Sequence, residues 1–284
     1  MNKPLIIDRK EANCASNATV PLETQIRKAK DLSEKANGCK RYPTLQILFG
    51  YSYVAHNISD NDNLPVGGTL FVSKEFSVQC DFERLNGLFE MIDDYSHRLD
   101  GKLLDVHEWL KTAGTDIDPG LFKELFTFNK VVYEQFKPDP THNSIRESEY
   151  RKSPNIRVSD AFKKGFAACA EIAAMAQYYL QRKGVDSRYF SGALLRSDLQ
   201  EFAEPHSFTV IKHNGKTYIF DPANPLNSTT DNTILPNIFQ TSPEFDAEVN
   251  KGIKRFVTCT NILSKKILFY GVDDHLNVSK ENIV

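Results

Sequence analysis

Residues 165–184 read GFAACAEIAAMAQYYLQRKG, and residues 206–222 read HSFTVIKHNGKTYIFDP. The second stretch decides the geometry. Asn214-Gly215 is the strongest short hairpin signal, because both central residues of a type I′ turn need positive φ. With those two as the loop, His213 faces Lys216, and the pairing extended outward sets Phe208 opposite Asp221 and His206 opposite Ala223. Opposed residues share a sheet face, and so do residues two apart on one strand. His206 and Asp221 are therefore expected on one face as diagonal neighbours, roughly 7–8 Å apart at the backbone, a gap that a carboxylate and an imidazole span. The same face carries Phe208, Val210 and Ile219, which this pattern predicts to cover a helix. Ser207, Thr209, Tyr218 and Phe220 occupy the opposite face.

The first stretch predicts that helix. Gly184 suits the left-handed position that ends it, and Arg182 and Lys183 suit the negative end of its dipole. Cys169 then falls in or near the first turn. Ala167, Ala168, Ala170, Ala173, Ala174 and Ala176 make the helix thin, so a sheet approaches closely. A thiol at a helix N-terminus feels the positive end of the dipole, and a nearby imidazole favours its thiolate, which is the nucleophilic form. The N–H groups around it are placed to stabilise an oxyanion.

GFAACAEIAAMAQYYLQRKGVDSRYFSG and HSFTVIKHNGKTYIFDPANP resemble the core of the transglutaminase-like superfamily, within the wider papain-like thiol enzymes. The shared pattern is a Cys at a helix start, an acidic residue and Ala soon after, and a Gly ending the helix. An Arg-Tyr strand ending in Gly, a His strand and an Asp-Pro strand follow. The likeness covers roughly residues 125–225. Ala167 and Ala168 stand where the family usually has Gly, and Phe208 and Tyr218 stand where it commonly has Trp. The resemblance implies an α+β papain-like core, in which a helix bearing Cys packs on an antiparallel sheet bearing His and Asp, with a mixed N-terminal extension. It implies Cys169 as nucleophile, His206 as base and Asp221 as the residue that orients the imidazole. The implied reaction is acyl transfer or hydrolysis at carboxamides of a protein or peptide, of transglutaminase, glutamine deamidase or protease type. Two alternatives stand beside it: a non-catalytic binding or scaffold module that keeps the fold, and a thiol acyltransferase with a small-molecule acceptor. Arylamine acetyltransferases exemplify the latter, but their Arg-Gly-Gly before the cysteine is absent here.

Other candidates carry less. Glu171 lies two residues after the cysteine, so it does not share the thiol's helix face and reads as a first-turn charge. His213 competes with His206 but falls on the other face of the hairpin. His97 and His107 match no zinc-helix spacing and read as surface residues. Cys14, Cys39, Cys80 and Cys259 have no comparable partners.

The formal net charge is −2, so no strongly basic surface offers itself to nucleic acid. No apolar run approaches the roughly 20 residues that span a membrane. The start of the chain lacks the apolar stretch of a secretory signal. Five scattered cysteines without a CxxC pair argue against a disulfide scaffold or zinc site and for a reducing compartment. The expected location is thus the cytoplasm, or outside after export without a cleaved signal, including a host cell. No cofactor or metal is implied, the expected partner is a protein or peptide substrate, and oligomeric state is not set.

Along the chain, residues 1–22 read as a loose arm, 23–111 as a helical or mixed N-terminal region, and 112–284 as the transglutaminase-like catalytic domain. A short helix is expected over 24–35, an apolar run of ambiguous type over 42–54, and strands within 69–82. Helix is expected over 84–110 with a break near Asp100-Gly101, and again over 121–136, where apolar residues recur at three- and four-residue intervals. Residues 137–154 read as a long polar loop, expected to form a rim for a protein substrate. Residues 256–260 and 266–270 read as strands added to the hairpin's sheet.

Overall fold

The computed structural model describes residues 53–65, 77–136, 142–153, 155–196, 204–227, 234–241, 256–263 and 267–271. The expected arm over 1–22, the helix over 24–35 and most of the run 42–54 lie outside these residues. The strands β1 (Tyr53–His56), β2 (Asn63–Pro65) and β3 (Ser77–Gln79) come first. After a 3-10 turn at Phe82–Leu85 come α1 (Asn86–Asp100), α2 (Leu103–Thr112), α3 (Pro119–Gln135) and α4 (His142–Lys152). Then follow β4 (Asn155–Arg157), α5 (Val158–Lys163) and α6 (Cys169–Arg182). The remainder is β-rich: β5 (Asp186–Arg196), β6 (Glu204–His213), β7 (Lys216–Phe220), β8 (Leu226–Asn227), β9 (Ile234–Leu235), β10 (Ile238–Gln240), β11 (Phe256–Asn261) and β12 (Ile267–Gly271). The fold is a mixed α+β arrangement built on an antiparallel sheet.

The hairpin forms in the expected register. Asn214 and Gly215 have φ of 49° and 72°, and His213 pairs with Lys216, Val210 with Ile219 and Thr209 with Phe220. The sheet then curls on itself. β5 pairs with β6, β6 with β7, β7 with β10, β10 with β11 and β11 with β12, and β12 returns to β5. All these pairs are antiparallel, so six strands form a closed ring, with β1 alongside β5. The strands expected near 256–260 and 266–270 are β11 and β12.

Closure gives the sheet two buried faces, and this corrects one expectation. Phe190, Phe208, Val210, Ile219 and Phe239 are buried within the ring, where Phe190 and Phe208 stack at 5.5 Å between centroids. They do not cover the helix. α6 packs on the other side, over Tyr189, Thr209, Ile211 and Phe220. There Thr209 Oγ1 donates to the Ala173 carbonyl at 3.2 Å, and Gln177 Nε2 donates to the Ser187 carbonyl at 3.2 Å. Two buried faces are both apolar, so hydrophobicity alone does not tell which one meets a helix. The hydroxyls mark it, because a helix offers carbonyls and the inside of the ring does not.

The helices follow their local signals. Asp118 Oδ1 accepts from the Leu121 N–H at 2.8 Å with Pro119 in the first turn, a cap that starts α3. The break between α1 and α2 falls at Gly101-Lys102 as expected. α6 ends at Gly184, whose φ is 73°, and the Val185 N–H reaches back to the Leu180 carbonyl at 3.0 Å. The polar loop expected over 137–154 is instead largely α4. Its sequence, HNSIRESEYRK, is too polar to show an apolar stripe, yet Arg146 and Tyr150 are buried.

Candidate active site

α6 runs parallel to β6 and antiparallel to β5, as the bonds from Thr209 to Ala173 and from Gln177 to Ser187, which pairs with Ile211, fix. One helical turn back from Ala173 is Cys169, and two residues back along β6 from Thr209 is Ser207. At 1.5 Å per helical and about 3.3 Å per strand residue, these steps match. Cys169 thus opens its helix at the end of the ring where His206 sits.

His206 and Asp221 meet at that rim. His206 Nε2–H donates to Asp221 Oδ2 at 2.9 Å, and His206 and Asp221 are 7% and 1% exposed. The Cys169 side chain is within hydrogen-bonding reach of the His206 ring, and with Nε2 committed to Asp221 the nitrogen left for it is Nδ1. Cys169 itself is half-buried. Burial alone would discharge the imidazole. The charge and hydrogen bond of Asp221 outweigh that, with help from Cys169, and hold the His206 pKa well above its ordinary value. The Phe208 ring flanks the imidazole, with centroids 6.3 Å apart and planes 27° from parallel.

Two further groups shape the start of α6. Ala168 precedes the helix and has no side-chain cap to offer, so Glu171 supplies one. Glu171 Oε2 accepts from the Ala168 N–H at 2.9 Å, and Oε1 accepts from Arg146 Nη1 at 2.7 Å. Both partners of this ion pair are sealed from solvent, at 1% and 0%. Arg146 also donates to the Tyr150 hydroxyl at 3.1 Å. Glu171 is thus the inward-facing anchor of α6, where the sequence suggests only a first-turn charge.

The strand end that carries Asp221 is held from α3. Asn129 Nδ2 donates to the Pro222 carbonyl at 3.0 Å, and the Tyr133 hydroxyl donates to the Ala223 carbonyl at 2.7 Å. Burial, together with the charges of Asp221 and Cys169, keeps the Tyr133 phenol neutral and able to donate. Sequence reasoning missed this clamp. Its signal was a polar residue and a tyrosine one turn apart on an otherwise apolar helix, FTFNKVVY.

His213 is on the other face from His206, 3.6 Å from Asp118 Oδ1. His97 is exposed on α1 and His107 half-buried on α2. Cys80 is fully buried, and burial pushes its thiol pKa up. Cys14 and Cys39 lie outside the described residues. Among the described residues no helix is long and apolar enough to cross a membrane.

The arrangement joins a thiol at a helix start, an imidazole in reach of it and a buried carboxylate behind the imidazole. That is the equipment of nucleophilic acyl chemistry. Against known proteins, the chain matches no family model and no curated sequence, so the reading of this site rests on its own geometry.

Proposed function

We propose that this protein is a cysteine-dependent enzyme that transfers or hydrolyses acyl groups at carboxamides of a protein or peptide, in the manner of papain-like and transglutaminase-like enzymes. The observation that carries the reading is the 2.9 Å bond from His206 Nε2 to buried Asp221, with Cys169 within reach of the same ring. His206 Nδ1 takes the Cys169 proton, and the thiolate attacks the carboxamide carbon. The oxyanion so formed faces the first-turn N–H groups of α6, and the Ala168 N–H is already committed to Glu171. The imidazolium then protonates the departing nitrogen, leaving a thioester on Cys169. Water deprotonated by His206 releases the acid, and an amine in its place gives a new amide. Asp221 fixes the ring and stabilises its positive charge throughout. A reducing cytoplasm, the cell's own or a host's, suits a reduced thiol of this kind.

The test has two arms. Iodoacetamide is expected to alkylate Cys169 at neutral pH in the wild-type chain, with little labelling elsewhere. Candidate proteins incubated with the enzyme and examined by mass spectrometry are expected to gain about one dalton where water replaces an amine, or an amine adduct. Cys169→Ala is expected to abolish both signals while the circular dichroism spectrum stays unchanged. Persistent modification of substrates by Cys169→Ala would refute the mechanism.

A further inference from the structure

Asn224, three residues beyond Asp221, is exposed and stands beside the triad. Its Nδ2 donates to Asp221 Oδ2 at 3.0 Å, the same oxygen that accepts the His206 Nε2–H at 2.9 Å. The amide nitrogen is also 3.4 Å from His206 Nε2. Both nitrogens carry hydrogen when Nε2 donates to Asp221, so this contact sets two positive ends against each other. The flipped amide would turn its oxygen against the carboxylate, acceptor against acceptor, so the chemistry fixes the orientation.

Asn224 is itself held. Asn237 Nδ2 donates to the Asn224 backbone carbonyl at 2.7 Å, and Asn261 Nδ2 donates to Asn237 Oδ1 at 2.7 Å. The Asn237 backbone carbonyl accepts the Asp221 N–H at 2.9 Å, and Asn261 Oδ1 accepts the Leu263 N–H at 2.9 Å. Asn237 and Asn261 are 5% and 1% exposed. A ladder of amides therefore runs from the end of β11, past the start of β10, to the end of β7. The ladder thus reaches Asp221 at two places, its backbone N–H through Asn237 and its carboxylate through Asn224.

We propose that Asn224 is a positioning residue of the triad, sharing Oδ2 of Asp221 with His206, and that Asn237 and Asn261 hold it there. This rests on the triad reading above. A carboxylate oxygen that already accepts an amide hydrogen is a weaker partner for an imidazolium, and the positive end of the amide faces Nε2 as well. Asn224 therefore moderates the pull of Asp221 while fixing its rotamer. Moderation matters because an imidazolium held too firmly is a poor acid toward a departing amine. The titratable groups that face His206 are Asp221 at the end of β7 and Cys169 on α6. Tyr133 on α3 and Arg146 on α4 feel the same thiol.

The test needs no turnover. In the full-length Cys169→Ala protein the thiol is gone, and the His206 ring nitrogens are titrated by NMR with and without a second change. Asn224→Ala is expected to raise the His206 pKa by about half a pH unit or more, the lost bond being one from an amide to a part-buried carboxylate. Asn224→Asp is expected to raise it further, by adding a second carboxylate. Asn237→Ala is expected to shift it in the same direction by less. Thermal melting checks that each variant is folded, and Asn224→Ala, at an exposed position, carries the decision. A His206 pKa that falls toward that of a free imidazole in Asn224→Ala would mean that the amide only steadies the loop. An unchanged value would mean that it does nothing, and either result overturns the proposal. Failure of the triad reading shows separately, as loss of iodoacetamide labelling at Cys169 in the otherwise wild-type chain.

Discussion

Glu171 serves two partners at once, and the consequences separate cleanly in variants. Arg146→Met would leave Glu171 as an unpaired charge in a sealed site, which costs about 3–5 kcal/mol. Adding Glu171→Gln removes that charge and keeps an acceptor for the Ala168 N–H, so the double variant is expected to recover most of the loss. Denaturant midpoints of the two variants against the wild type check this. The two histidines divide as sharply. His206→Ala is expected to slow alkylation of Cys169 at neutral pH by removing the base beside the thiol, whereas His213→Ala, next to Asp118, leaves it intact. His206 also ties stability to pH. Its folded pKa lies above the unfolded value of 6.5, so its contribution is complete below pH 6.5 and is lost as pH rises through the folded value. Asp221→Asn is expected to flatten that part of the stability–pH curve.

Between elements, small residues and hydroxyls decide the approach of α6 to the ring. Ala170, Ala173, Ala174 and Ala176 are all 0–1% exposed. Ala173→Leu would force bulk between the helix and β6, at a cost of about 1–3 kcal/mol, and would shift Cys169 from His206. A lowered melting temperature with slower alkylation is the expected pair of signs. A second tie joins three helices. Glu124 on α3 accepts from the Tyr179 hydroxyl of α6 and from Ser96 Oγ of α1, and pairs with Lys123 at 3.1 Å. Burial would raise the Glu124 carboxyl pKa, but these partners lower it below the ordinary 4.5. Its share of stability is present above pH 4.5 and lost as pH falls through the folded value, and Tyr179→Phe is expected to weaken that acid transition. Much of this level was legible in the sequence. Asn214-Gly215 fixed the register that brings His206 to Asp221, and Gly184 and the alanines fixed α6. The side of the hairpin that meets α6 was read in reverse, because Phe208, Val210 and Ile219 fill the ring while Thr209 bonds to a helix carbonyl. α4 went unseen for a related reason: Arg146 is buried through its charge, and a count of apolar spacing scores it as surface.

Across the whole molecule, the core does not stop at residue 112. Buried residues from Ile58 to Ile262 form one cluster. Phe82 stacks on Tyr178 of α6 at 4.3 Å, and the Ile58 N–H donates to Gln177 Oε1 at 3.3 Å. A fragment beginning at residue 112 keeps Cys169, His206 and Asp221 but bares this side of α6. It is expected to melt lower and to label more slowly at Cys169 than the full chain. The ring has a consequence for the order in which the protein assembles. Each strand from β5 to β12 that belongs to it pairs with the next one along the chain, and only the return of β12 to β5 joins distant segments. The His206–Asp221 hairpin is local in sequence, and hairpins of that kind form in about 1–10 μs. During synthesis that pairing precedes the emergence of β12. A chain stopped after residue 255 would therefore hold a formed histidine–aspartate pair on an open sheet, whose unclosed margins are templates for other chains. Light scattering is expected to show such truncated chains self-associating, where the full-length protein, its ring shut, does not present those margins.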